Sequence, residues 1–83
     1  MNRYIKLKFK ALSVFERANS EWLSPSVAAE RLDFTPRRSA WTYFKRLWRL
    51  GLLEKRLAGK GTLQYKISLA GKERLRRLHS QLG

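Results

Sequence analysis

The first quarter of the chain carries apolar residues at helical spacing. Four of them share one face of a helical wheel: Ile5, Phe9, Leu12 and Phe15. The start of this stretch is ambiguous, because residues 4–9 also alternate in polarity, as strands do. We predict a helix from about Lys8 to a stop at Asn19 and Ser20, and the conformation of residues 1–7 stays open.

Two Ser/Thr-Pro pairs predict the starts of the next two helices. In Ser24-Pro25 and Thr35-Pro36 the first residue is a good N-cap, and the proline takes the first helical position, where its missing N–H costs no hydrogen bond. We predict helices over residues 26–32 and 36–50, the second ending at the glycine that follows it. The break between them lies at Asp33 and Phe34. Two capped helices separated by three residues form a helix-turn-helix.

Period-two alternation follows in two short segments, residues 52–57 and 62–68, and predicts two β-strands. The four residues between them, Ala-Gly-Lys-Gly, contain two glycines that permit a tight or bulged turn, so we predict an antiparallel hairpin. Ser68 then caps a last helix that ends near residue 82. The apolar face of this helix fits either packing within the chain or the seam of a homodimer. It consists of Leu75, Leu78 and Leu82.

The predicted order is helix, short strand at residues 21–23, helix, helix, strand, strand and helix. This is a mainly α fold with a small antiparallel β-sheet, and a length of 83 residues corresponds to a single domain over residues 1–83. The hydrophobic fraction of 43% and the three tryptophans predict a packed core, which distinguishes the chain from a disordered basic tail.

Composition limits the compartment and the chemistry. The absence of cysteine excludes disulfides and thiolate metal sites. No apolar run approaches the ~20 residues of a membrane span, and the N-terminus lacks the apolar stretch of a secretory signal. These features fit a cytoplasmic, nucleoid-associated protein with no membrane partner.

Net charge is the strongest functional signal. The chain has 19 Lys and Arg residues against 6 Asp and Glu, which gives a formal net charge of +13. A folded domain tolerates this self-repulsion more easily when its partner is a polyanion. Such a partner is DNA, RNA or an anionic membrane surface, and of these we expect double-stranded DNA, with RNA as an alternative. A merely soluble basic surface is the other interpretation.

The helix over residues 36–50 separates apolar and basic side chains on opposite sides. At ~100° per residue, Ala40, Phe44 and Leu47 fall together and predict the buried side. The helix has no acidic residue, whereas a solvated helix face normally mixes glutamate with lysine. We predict that its polar side binds DNA through Arg37, Arg38, Ser39, Thr42, Lys45, Arg46 and Arg49.

The position along this helix predicts the role of each residue. A helix in the major groove usually reads bases with its N-terminal residues, and arginine pairs in bidentate fashion with guanine N7 and O6. We assign base contacts to Arg37, Arg38 and Thr42. Phosphate contacts are assigned to the residues nearer the C-terminus, Lys45, Arg46 and Arg49. Ser39 either reaches a phosphate or is a bystander.

The aromatic residues of this helix have structural interpretations. Trp41 and Trp48 flank the apolar side, and we predict that both are partly buried, with stacking on single-stranded bases as an alternative. Tyr43 and Leu50 share the other flank, and we expect them to contact neighbouring helices.

The hairpin adds four cations, Lys55, Arg56, Lys60 and Lys66. A basic hairpin beside a recognition helix can lie along the DNA backbone or enter the minor groove. Lys60 is the strongest candidate for such a contact, because it lies at the tip between two glycines. Solvated surface charge is the alternative for each of the four.

Three segments resemble winged-helix transcriptional regulators. Residues 22–38 look like their helix-turn-helix, and residues 44–56 resemble the end of the recognition helix entering the wing. Residues 65–75 are similar to the strand and helix that follow the wing in MarR-like and PadR-like regulators. The resemblance implies a winged helix-turn-helix fold and duplex DNA binding in transcriptional regulation. It also implies recognition positions within residues 37–46 and a wing at residues 55–66.

We expect a binding protein and not an enzyme. The six acidic residues are spread singly, and the only histidine, His79, lies near a helix end, so the sequence predicts no carboxylate pair or metal cluster. There is no glycine-rich phosphate loop, and we expect no cofactor. The predicted function is sequence-specific binding of double-stranded DNA. The alternatives are an RNA-binding winged helix, a protein-interaction module and a sequence-neutral chromosome or replication accessory protein.

Overall fold

The computed structural model describes residues 3–18, 21–33 and 37–82, with their side chains except those at 3–5, 37 and 82. The elements follow in the order α1 (Arg3–Arg17), α2 (Pro25–Leu32), α3 (Arg37–Arg49), β1 (Leu53–Ala58), β2 (Thr62–Ile67) and α4 (Leu69–Leu82). The two strands pair antiparallel in one sheet. The predicted class, mainly α with a small antiparallel sheet, is confirmed.

Helix α1 begins earlier than the sequence predicted. It starts at Arg3 and ends at Arg17, so the predicted start near Lys8 was wrong. The alternation in residues 4–9 is compatible with a helix, because Ile5 and Phe9 are also four positions apart and continue the apolar face. Packing against α4 decides between the two patterns, since the Phe9 ring lies 6.0 Å from the ring of His79. The predicted stop at residues 19–20 lies outside the described residues.

The predicted cap of α2 is confirmed at both ends of the helix. The Val27 N–H donates to Ser24 Oγ at 3.2 Å, and Pro25 is the first helical residue. Asp33 ends the helix in the left-handed conformation, with φ 55°, which aspartate tolerates better than most residues. The predicted second cap, Thr35-Pro36, lies outside the described residues together with Phe34.

Gly51 ends the helix-turn-helix as its sequence position predicted. Its φ is 79°, a conformation that costs glycine no steric strain. The Gly51 N–H donates to the Trp48 carbonyl at 2.9 Å, and the Leu52 N–H donates to the Leu47 carbonyl at 3.0 Å. These two bonds form a Schellman motif, which turns the chain from α3 directly into β1.

The hairpin agrees with the predicted strands to within one residue at each end. Leu53 pairs with Ile67 and Ala58 pairs with Thr62, so Ala58 belongs to the first strand and the turn has three residues, Gly59, Lys60 and Gly61, instead of the four predicted. The short strand predicted at residues 21–23 is reduced to a single bridge, in which Leu23 and Tyr65 exchange two backbone hydrogen bonds of 2.8 Å. The bridge stops there because Ser24 already serves as the cap of α2.

The core lies between the helices and the inner face of the hairpin. Its largest fully buried side chains are Phe15, Phe44, Leu12 and Leu47. The Phe44 ring meets Phe15 edge-on at 5.4 Å between centroids and lies 6.4 Å from the ring of Tyr65. The predicted buried side of α3, Ala40, Phe44 and Leu47, is confirmed, since all three are fully buried.

Helix α4 packs on α1, and its start is tied to the end of α3. Ser68 Oγ accepts from the Gly71 N–H at 2.9 Å, as predicted for a cap, and donates to the Gly51 carbonyl at 2.6 Å. Leu78 is buried and Leu75 packs against the core, so this face serves packing within the chain. The side chain of the third leucine of that face, Leu82, lies outside the described side chains.

Replacing Tyr43 by phenylalanine is expected to stabilise the fold. The Tyr43 hydroxyl is buried without a hydrogen-bond partner among the described residues, and burial raises the pKa of Tyr43 to about 12, an effect that nearby Arg46 partly opposes. An unsatisfied buried hydroxyl costs roughly 1–3 kcal/mol. Removing it should raise the unfolding free energy by about 1 kcal/mol, or the melting temperature by roughly 4–8 °C. Thermal unfolding followed by circular dichroism measures the shift, and a lower melting temperature would contradict it.

Candidate nucleic-acid interface

The polar side of α3 faces solvent as predicted. Six of the seven residues assigned to DNA on this helix are exposed: Arg38, Ser39, Thr42, Lys45, Arg46 and Arg49. Arg37 is the first residue of α3, but its side chain lies outside the described side chains. The Thr42 hydroxyl donates to the Arg38 carbonyl at 3.2 Å, which leaves its oxygen lone pairs available as acceptors.

Two predictions for the flanks of α3 were wrong. Trp41 was predicted to be a partly buried packing residue, but it is exposed, at 49%, and does not belong to the residues packed against the core. Strand β1 covers this flank of α3 at Trp48, near the C-terminal end of the helix. Trp41 lies on the same flank two turns earlier, where the described chain does not cover it. Leu50 is 57% exposed, because it follows the last helical residue and precedes the turn at Gly51. Trp48 and Tyr43 pack against the core as predicted.

Lys55 lies on the side of the hairpin that faces α3. Its Nζ is 3.6 Å from the centre of the Trp48 ring, a cation–π contact that joins β1 to the C-terminal end of α3. Since the strand alternates, Lys55 shares its face with the buried Leu53. The contact therefore keeps a cation beside the basic side of α3.

The opposite face of the hairpin carries a cluster of polar side chains around Trp22. The Arg56 guanidinium carbon lies 4.5 Å from the Trp22 ring centre, and Lys66 Nζ lies 5.0 Å from it. Arg56 Nε also donates to Gln64 Oε1 at 2.9 Å. Lys66 pairs with Glu54 at 3.7 Å. The contact with the Trp22 ring and the hydrogen bond from Nε to Gln64 hold the guanidinium of Arg56 in place. Its two terminal NH₂ groups remain available as hydrogen-bond donors.

The role of Trp22 was missed in the sequence, where this residue belonged only to an extended link. A signal was present in the alternation, because Leu23 is apolar and bridges the hairpin, so its neighbour Trp22 must lie on the other face. The antiparallel bridge between Leu23 and Tyr65 sets Trp22 next to Lys66. The pairing partner of residues 22–23 had to be known first, and no local pattern supplies it.

Lys60 lies at the tip of the hairpin as predicted. It is exposed, and the glycines on both sides, Gly59 and Gly61, have φ of 45° and 81°. Both conformations favour glycine, and neither of the two residues adjacent to Lys60 has a side chain.

Acidic side chains are scarce around these cations. Within the described part of the chain, Lys66 and Glu54 form the single ion pair, and this pair is half exposed. The four exposed cations of α3 have no acidic partner there. They are Arg38, Lys45, Arg46 and Arg49. A surface of unpaired like charges repels itself, and a polyanion relieves that repulsion.

Clusters of metal ligands and membrane-spanning helices are absent from the described residues. In residues 3–18, 21–33 and 37–82, no three histidine or acidic side chains come together to hold a metal ion. None of the helices in these ranges combines the length and the apolar character that crossing a lipid bilayer requires.

Comparison with known proteins identifies the fold. No family model matches the chain, and no curated protein matches it. Among solved structures, the chain is similar to a MarR family transcriptional regulator from Streptomyces coelicolor, with a TM-score of 0.75 and 31% sequence identity. The aligned region covers 90% of this chain and 51% of that protein, so the chain spans about half its length.

The chain has a winged-helix fold. In this fold α2 and α3 form the helix-turn-helix, and the β1–β2 hairpin is the wing. The resemblance noted in the sequence is confirmed at the level of this superfamily. Membership of the MarR-like or the PadR-like group stays a prediction.

Proposed function

We propose that this winged helix binds double-stranded DNA sequence-specifically and acts in transcriptional regulation. The observation that carries the proposal is the exposed side of α3, which serves as the recognition helix in this proposal. This side bears four cations and no acid and lies beside a basic wing. The similarity to a transcriptional regulator at 31% identity supports it. The role is one of binding, without catalysis, metal or cofactor.

In this proposal the recognition helix enters the major groove with its N-terminal turns against the bases. Arg37 and Arg38 donate to acceptors such as guanine N7 and O6. Thr42 accepts from a base amino group, since its own proton is engaged by the Arg38 carbonyl. The phosphates on either side of the groove are bound by the remaining polar residues of α3, Ser39, Lys45, Arg46 and Arg49.

The wing makes a second contact along the backbone or in the minor groove. Lys60 at the tip is placed to reach furthest from the body of the domain, and Lys55 reaches the DNA beside α3. Arg56 presents its two terminal NH₂ groups to a phosphate, with Lys66 next to it. Phosphate contacts such as these fix the register of the protein on the duplex, and base contacts specify the sequence.

The affinity of this complex is expected to fall steeply with salt. If about six phosphates are neutralised, log Kd should change with log salt concentration with a slope of about 5 in magnitude, because each contact releases condensed counterions. Fluorescence anisotropy of a labelled mixed-sequence duplex at several salt concentrations measures this slope. Matched single-stranded DNA and a structured RNA serve as controls. Tighter binding to RNA than to the duplex would indicate an RNA-binding function. If the protein binds none of the three nucleic acids at low salt, the proposal is overturned.

Trp22 is expected to act on DNA affinity through Arg56. An exposed cation–π contact is worth roughly 0.5–1 kcal/mol, so Trp22→Ala should weaken duplex binding about two- to fivefold. In a double-mutant cycle, Trp22→Ala should lose most of this effect when Arg56 is already alanine. The control pair is Trp22→Ala with Lys60→Ala, whose effects should add, because Lys60 does not contact Trp22. Full additivity in the Arg56 cycle would contradict the prediction.

Three further expectations belong to the same proposal. Residues 1–83 form one domain, and the protein acts in the cytoplasm in association with the nucleoid. A homodimer through α4 would use the exposed residues of that helix, because the Leu75 and Leu78 face packs inside the chain. Sedimentation at micromolar concentration, with and without duplex DNA, measures the oligomeric state.

A further inference from the structure

We propose that Trp41 reads thymine methyl groups in the major groove. The inference rests on the proposed function, because it adds a specificity-determining residue to the same face of the recognition helix. It goes beyond the arginine and threonine contacts, which use hydrogen bonds alone.

Trp41 is the tryptophan of α3 that the described chain leaves uncovered. Its side chain is 49% exposed, whereas Trp48 on the same flank packs against the core and lies under the Lys55 ammonium group. Leaving an indole in water forgoes the free energy of burying its apolar surface. Large aromatic residues are enriched at the contact surfaces of proteins, where a partner buries them.

The surroundings of Trp41 specify the charge of that partner. Arg38 lies three positions before it and Lys45 four positions after it, so both neighbour Trp41 on the helix surface. Neither cation has an acidic partner among the described residues. A partner that covers Trp41 must therefore be anionic and must also present an apolar group between its charges.

Duplex DNA offers one apolar group on its major-groove base edges, the C5-methyl of thymine. Trp41 lies between Arg38, which we assign to a base, and Lys45, which we assign to a phosphate. In the proposed docking the indole therefore lies between the part of α3 that contacts base edges and the part that contacts the DNA backbone. Its broad apolar surface covers a methyl group there and excludes water from it.

A duplex fits these observations better than a single strand. Single-strand binding surfaces stack successive bases on several aromatic side chains along a basic groove. On α3 the other aromatic side chains of the described residues, Tyr43, Phe44 and Trp48, are covered by the core or by the wing. One exposed indole on a convex helix suits contact with a groove and does not form a stacking series.

The test compares thymine with deoxyuridine, which lacks the C5-methyl group. A duplex selected from a random pool by the wild-type protein is prepared in both forms, and Kd is measured for each by anisotropy. For the wild type we expect about a fourfold weaker Kd for each contacted methyl that is removed. Trp41→Ala should bind both forms equally. The control Leu69→Ala removes another exposed apolar side chain, on α4, and should keep the wild-type ratio.

The outcomes separate this inference from the proposed function. Equal binding of both duplexes by the wild type, or the same ratio in wild type and Trp41→Ala, overturns the methyl contact while duplex binding stands. Tighter binding of the single strands than of the duplex also overturns it, in favour of stacking. Failure of the wild type to bind any duplex overturns the proposed function and the inference together. The ratio of two Kd values on one variant does not depend on the folded fraction, so partial unfolding of Trp41→Ala does not obscure the result.

Discussion

Replacing Arg38 and Lys45 by glutamate is expected to lower duplex DNA affinity at least about a hundredfold. An arginine that contacts a base edge contributes roughly 1–3 kcal/mol, and each phosphate contact adds about one unit to the salt slope. In the proposed docking, glutamate at these two positions removes the base contact and the phosphate contact and places negative charge against the phosphates. A hundredfold loss corresponds to about 2.7 kcal/mol. Anisotropy titrations at one salt concentration measure the loss, and titrations at several measure the fall in slope.

The matched control reverses two arginines on the helix that packs away from the recognition helix. Arg74→Glu with Arg77→Glu makes the same change in net charge, and both residues are exposed on α4. The factor by which this variant weakens binding should be less than a tenth of the factor for the α3 variant, because distant charge acts only through a screened field. Sedimentation should give this variant the same oligomeric state as the wild type, which excludes loss of a homodimer through α4 as the cause of any weaker binding. If the two variants weaken binding equally, affinity depends on net charge alone and the docking of α3 is wrong. Unchanged melting temperatures in both variants would exclude unfolding as the cause.

The choice of these two residues required nothing beyond the sequence. The exposed side of α3 follows from the angle of ~100° per residue and from the absence of acids, and every described residue predicted on that side is exposed. The two ends of α2, the end of α3 and the start of α4 were also predictable, because capping depends on adjacent residues. Ser24 caps α2 with its hydroxyl, Asp33 tolerates a left-handed conformation better than most residues, and Gly51 adopts one without steric strain.

Features that depend on which helices and strands pack together could not be predicted from the sequence. The start of α1 is decided by α4, which lies at the other end of the sequence, so local alternation left it ambiguous. The exposure of Trp41 and the coverage of Trp48 depend on where β1 crosses the flank of α3. The contact of Trp22 with Arg56 depends on the bridge between Leu23 and Tyr65. A helical wheel or a strand alternation gives the face on which a side chain lies, but it does not give the element that packs against that face.

Replacing Phe44 by alanine is expected to remove much of the stability of the fold. Phe44 is fully buried and contacts the rings of Phe15 and Tyr65, so its loss leaves a cavity between α1, α3 and the wing. Truncation of a buried phenylalanine costs roughly 3–5 kcal/mol, and native domains have a total stability of roughly 5–15 kcal/mol. We expect the melting temperature to fall by more than about 15 °C. Phe44→Leu keeps most of the volume and should cost less than half as much.

The Phe44→Ala variant also distinguishes unfolding of the protein from loss of a contact with DNA. Phe44 and Arg38 lie on opposite sides of α3, one in the core and one in solvent. Phe44→Ala should weaken DNA binding only in proportion to its unfolded fraction, and excess duplex should restore the fold, because a ligand of the native state stabilises it. The double glutamate variant should show the reverse behaviour, with an intact melting curve that duplex DNA no longer shifts. Trp41→Ala truncates an exposed aromatic side chain on the same helix and should leave the melting temperature nearly unchanged. A large fall in the melting temperature of this variant would contradict the exposure of Trp41, on which its proposed contact with DNA depends.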